Sequence, residues 1–105
     1  MKRLKILKNS IRGTAKIPRI TAFRSLKHIL AQAIDDEKGH TLAYISDQKF
    51  SEKNPTEKAQ RVGQELAKAL KKQAIKQARF DKGNYKYHGR IKALVEALRQ
   101  EGVKI

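Results

Sequence analysis

The sequence predicts an α/β fold with an α+β-like element order, β-β-β-α-β-α. It comprises a mixed sheet with an antiparallel meander, two helices packed on it, and a flexible basic N-terminal arm. Three observations predict it. Apolar and polar residues alternate through residues 19–25 and 28–35, and residues 41–46 make a third strand-like run. Apolar residues then recur at spacings of three and four from Ala59 to Leu70, and again from Ile91 to Leu98. Before all of these lies a basic stretch with little aromatic content.

That stretch, residues 1–16, is expected to be an arm that orders only on a polyanion, with a break at Ser10 and at Gly13-Thr14. Pro18 restricts Ile17 to extended geometry and marks the edge of a single globular domain, residues 17–105. Residues 19–25 and 28–35 read as two strands joined tightly at Leu26-Lys27. One face of this hairpin shows Ile20, Ala22, Ile29, Ala31 and Ala33, small enough to lie under helices. The other shows Thr21, Phe23, His28, Leu30, Gln32 and Ile34, a mixed face with an aromatic ring.

Asp35-Asp36-Glu37-Lys38-Gly39 reads as a turn, and residues 41–46 complete the meander. A polar loop, 47–54, leads into a helix with Asn54 or Thr56 as N-cap and Pro55 in its first turn. Its stripe is Ala59, Val62, Gly63, Leu66 and Leu70, and Lys58, Arg61, Lys68 and Lys72 lie on the other side. Residues 74–80 are expected to be a short fourth strand, reached by a parallel right-handed crossover. The second helix, 90–101, buries Ile91, Leu94, Val95 and Leu98, and Gly102 stops it.

Charge narrows the function classes. The chain has 105 residues, with 25 Lys and Arg against 10 Asp and Glu. Residues 1–34 hold nine cations and no acid, while the other 71 carry 16 cations and all 10 acids, a net of +6. Clustering of one sign is the footprint of a phosphate-backbone partner. Leu4, Ile6, Leu7 and Ile11 form too faint an apolar face for a membrane-surface helix, and no window suits a signal peptide or a transmembrane span. With no cysteine there is no disulfide, thiolate zinc site or thiol nucleophile, which fits a cytoplasmic protein. No membrane and no small-molecule substrate are expected as partners.

Three elements are candidates for contact with nucleic acid. The first is the run from Phe80 to Arg90, with Lys82, Asn84, Tyr85, Tyr87, His88 and Arg90, followed by Lys92. Its glycines, Gly83 and Gly89, let the chain turn, and the following helix N-terminus favours a phosphate. Tyr85 and Tyr87 alternate, so in an extended loop both would face one side and stack on bases, unless one of them plugs the core. The second is the arm, with Lys2, Arg3, Lys5, Lys8, Arg12 and Lys16, whose counterion release supplies salt-sensitive affinity, unless it serves solubility alone. The third is the first hairpin: Arg19, Phe23, Arg24, Ser25, Lys27, His28 and Gln32. The alternatives there are Phe23 as core and His28 as a surface bystander.

Catalysis is not supported. The three histidines lack metal-ligand spacing, the adjacent acids at 35–37 sit in a glycine-ended turn, and no phosphate-binding loop or nucleophile elbow occurs. No metal or cofactor is expected. A general nucleic-acid chaperone or nucleoid protein is the competing reading.

The residues that make these elements also carry a resemblance. Arg12-Gly13-Thr14, Pro18-Arg19, Phe23-Arg24-Ser25, Lys27-His28-Ile29, Ala31-Gln32 and Ile34-Asp35-Asp36 form its first half. Gly39, Thr41-Leu42-Ala43, Phe80-Asp81-Lys82-Gly83, Tyr85, Tyr87-His88-Gly89-Arg90, Lys92-Ala93-Leu94 and Gly102 complete it. Over residues 12–105 the chain resembles the bacterial large-subunit ribosomal protein eighteen family. The resemblance implies a structural protein without catalysis or cofactor. It implies binding to 5S rRNA and its attachment to 23S rRNA in the central protuberance, alongside ribosomal protein five. Leu26, Leu30 and Asn84 depart from the asparagine, tyrosine and glycine common at those places.

Overall fold

The structure, a computed structural model, describes residues 12–83 and 85–105. Strands β1 (Arg19–Arg24), β2 (Ile29–Asp35) and β3 (His40–Ser46) are followed by a 3-10 turn, Asp47–Lys49. Helix α1 (Pro55–Lys72), the short strand β4 (Arg79–Asp81) and helix α2 (Arg90–Gln100) complete the order. The sheet runs β3-β2-β1-β4, antiparallel within the meander, with β4 parallel to β1.

Alternation sorts the two faces of the sheet as expected. Ile20, Ala22, Ile29, Ala31 and Ala33 are buried. Of these, Ile20, Ile29, Ala31 and Ala33 meet Val62, Leu66 and Leu70 of α1 and Leu94, Val95 and Leu98 of α2 in one core. α1 lies on β2 and β3, and α2 packs alongside α1. The close approach of the two helices falls at Gly63, where a Cβ would come within 2.5 Å of the Leu94 carbonyl oxygen. Asn54 is the N-cap of α1, its Oδ1 accepting the N–H of Thr56 at 2.8 Å and of Glu57 at 3.3 Å.

Both helices end in the same way. After α1 the Ile75 N–H returns to the Leu70 carbonyl at 2.9 Å and that of Ala74 to Lys71 at 3.0 Å. After α2 the Val103 N–H returns to Leu98 at 3.1 Å and that of Gly102 to Arg99 at 3.0 Å. These are paired Schellman caps, and each needs a left-handed residue just past the helix. Gly102 supplies one at φ 99°, and Ala74 the other at φ 60°.

The first of these caps corrects the expected fourth strand. Residues 74–78 are occupied by the cap and by a parallel bridge between Gln77 and Lys104, so the strand spans only Arg79–Asp81. At the other end of the chain, Gly13 is buried against Arg19 and Ile34, and its N–H donates to Asp36 Oδ2 at 2.7 Å. The expected arm of residues 1–16 therefore overlaps the folded body at Gly13. No described helix is long and apolar enough to cross a membrane.

Candidate nucleic-acid interface

The β1–β2 connection is a tight turn over residues 25–28. The Ser25 N–H donates to the His28 carbonyl at 2.9 Å, and the His28 N–H returns to Ser25 Oγ at 3.2 Å. All four residues are exposed, yet the turn is held from three sides. Lys58 Nζ on α1 donates to the Lys27 carbonyl at 2.8 Å, and Arg90 NH1 at the start of α2 donates to the Ser25 carbonyl at 2.8 Å. Asp47, just after β3, is the third holder. Its Oδ2 accepts the Ile29 N–H at 3.0 Å and its Oδ1 pairs with His28 Nδ1 at 3.1 Å. A carboxylate that is 1% exposed needs such partners, and Lys58 Nζ stands 4.0 Å away as a further one.

The loop from Lys82 to Gly89 is fastened to the same turn. Tyr85 Oη accepts the Arg24 N–H at 3.2 Å, and the Arg24 guanidinium lies 4.9 Å from the centre of the Tyr85 ring. Between this loop and β1 opens a cleft of about 360 Å³, bordered by Thr21, Phe23, Lys82 and Tyr85. Phe23 is 56% exposed and therefore not core. Tyr87 is exposed, and its Oη lies 3.4 Å from Arg99 NH1, so the two tyrosines reach different elements. Helix α2 begins at Gly89, with φ 61° and ψ −125°, a conformation that side chains rarely adopt. Among the described residues no side chain caps α2, and a Cβ at Gly89 would meet nothing within 4 Å, so among them the first turn's N–H groups are left open. His88, Gly89 and Lys92 border a depression of about 420 Å³ there.

The fold thus brings Phe23, Arg24, Ser25, Lys27, His28, Lys82, Tyr85 and Arg90 together about the hairpin tip, while Tyr87 reaches along α2 to Arg99 and His88 and Lys92 border the depression between the helices. Gln32 lies on the open face of the sheet, between Thr21 and Tyr44. Arg12, Lys16 and Arg19 belong to the opposite end of β1, a strand length away, roughly 17 Å at about 3.4 Å per residue. Lys2, Arg3, Lys5, Lys8 and Asn84 lie outside the described residues.

Arg19 is not a free cation. Its Nε and NH2 donate to Asp36 at 2.9 and 3.0 Å and its NH1 to Asp81 at 3.2 Å. The hydrogen bond from Arg19 is the main cause that holds the Asp36 carboxyl below its ordinary range, against the opposing effect of burial. The same bond raises Arg19. Asp35, in turn, accepts the Glu37 and Lys38 N–H groups at 3.0 and 3.4 Å. The adjacent acids are therefore turn and strand-end partners, as the glycine-ended run suggested. Asp47 and Lys58 escaped the sequence reading, because a polar loop and a solvated helix side carry no mark of a long-range partner.

A cationic edge that displays aromatic rings and open backbone donors is the pattern of a nucleic-acid-binding protein. The family model for ribosomal L18 of archaea, bacteria, mitochondria and chloroplast matches residues 1–105. The chain is 50% identical over 99 residues to the large ribosomal subunit protein uL18 of Thermus thermophilus, covering 93% of this chain and 88% of the relative. It is 46% identical to that of Petrotoga mobilis (96% and 87% covered) and 44% identical to that of Campylobacter lari (100% and 89% covered). The chain belongs to the ribosomal L18 family, whose members are structural, non-enzymatic components of the ribosome.

Proposed function

We propose that this protein binds 5S rRNA and helps attach it to 23S rRNA in the central protuberance of the large subunit, beside ribosomal protein five. The observation that carries this reading is the fastening of the 25–28 turn, the Tyr85 loop and the start of α2 into one exposed cationic edge. Folded RNA offers what that edge can use: phosphates for Arg24, Lys27, Lys82 and Lys92, and unpaired bases for Phe23 and Tyr87. Ser25 and His28 shape the turn, and His88 and Gly89 leave the first turn of α2 open to a phosphate. The cations Lys2, Arg3, Lys5, Lys8, Arg12 and Lys16 add sequence-independent attraction for phosphates. Arg19 anchors Gly13 through Asp36. The relatives are named for the large subunit, and the extent of the likeness supports the same setting, the cytoplasmic ribosome, for this chain.

Gel-shift titration at about 150 mM salt, where surface charges are screened as in cells, tests the reading. The protein is expected to bind 5S rRNA more tightly than unrelated RNA or duplex DNA. Equal affinity for all three would replace it with a general nucleic-acid chaperone.

A further inference from the structure

The tip of the β1–β2 turn holds a leucine out in water. Leu26 is 93% exposed, the most exposed of the large apolar side chains described. It does not sit on a loose loop. The carbonyls on either side, Ser25 and Lys27, are each gripped at 2.8 Å, one by Arg90 and the other by Lys58. The turn also closes on itself through Ser25 and His28. An apolar group presented on an already ordered backbone can be buried by a partner with little further loss of chain entropy.

The surroundings select the partner. Arg24 and Lys27 flank the leucine in the chain, Lys58 and Arg90 hold the carbonyls beside it, and the acid at this turn, Asp47, is buried and paired inward. A protein pocket for Leu26 would need an acidic rim to meet those four cations. RNA offers a negative backbone and apolar base faces together, and aliphatic side chains do wedge against bases. We propose that Leu26, presented by the Lys58–Arg90 clamp, packs its side chain on an unpaired base of the bound RNA. This rests on the RNA-binding reading above and deepens it with a contact that carries no charge.

The test uses the full chain and 5S rRNA. Leu26→Ala should weaken binding about fivefold, what covering roughly half of a leucine's surface contributes. It should leave the melting temperature and the slope of log affinity against log salt unchanged, since no phosphate contact is lost. Lys58→Met keeps the aliphatic stem and removes the Lys58 half of the clamp. In that background Leu26→Ala should cost less than twofold, because a loosened tip no longer seats the leucine. A Leu26→Ala protein that binds as tightly as the wild type overturns the inference and leaves the leucine for a protein neighbour. A lowered melting temperature overturns it as well, as would a penalty that is undiminished beside Lys58→Met for the clamp. Failure of the wild type to bind any RNA would instead sink the RNA-binding reading itself.

Discussion

Tyr85 and Tyr87 stand two positions apart, and the fold gives them different work. Tyr85 is half-buried, stacked under Arg24 and bonded to its backbone, so it holds the loop. Tyr87 is 39% exposed, its hydroxyl beside Arg99, and is the ring proposed to stack. Tyr87→Ala should therefore weaken 5S rRNA binding by about tenfold, within the 1–3 kcal/mol of a stacked base, without lowering the melting temperature. Tyr85→Ala should lower stability by about 1–2 kcal/mol through the lost hydrogen bond and cation–π contact. Gel shifts beside thermal melts separate the two, and a Tyr87→Ala variant whose main defect is a lower melting temperature would reverse the assignment. Period-two spacing predicts one shared face for the two tyrosines, and the loop instead sends Tyr85 to Arg24 and Tyr87 to Arg99. That spacing carried nothing about Arg24, which lies far away in sequence. Arg19 failed for the same reason: a lysine or arginine in a sequence does not show whether carboxylates from two distant strand ends will claim it.

Elements were more legible than partners. The first hairpin followed from approximate alternation, and both helices from an apolar stripe. Only β4 was misjudged, because the residues before it form a helix cap built on Ala74, and an alanine gives no signal of a left-handed turn. The chain itself offers the comparison, since Gly102 fills the equivalent place after α2. An L-residue at positive φ carries roughly 1–2 kcal/mol of strain, partly offset by the smaller entropy of its unfolded chain. Ala74→Gly should raise stability by about 0.5–1 kcal/mol, read as a higher denaturant midpoint at unchanged slope. A midpoint that stays or falls would mean that the cap is not strained at that residue.

At the scale of the molecule, one topological fact builds the interface. β4 lies parallel to β1, which sets Asp81 beside Thr21 and delivers the following loop to the tip of the first hairpin. The sequence reading named the hairpin, the loop and the arm as contact elements but could not arrange them. Arrangement came from strand order, which joined two of them and set residues 12–19 toward the far end of β1. The central claim is that the joined edge is where RNA lies. Amide hydrogen exchange with and without 5S rRNA tests it most directly. The account predicts slower exchange across residues 25–28 and 85–92 on binding. Protection confined to other segments, with those two exchanging as in the free protein, would contradict it.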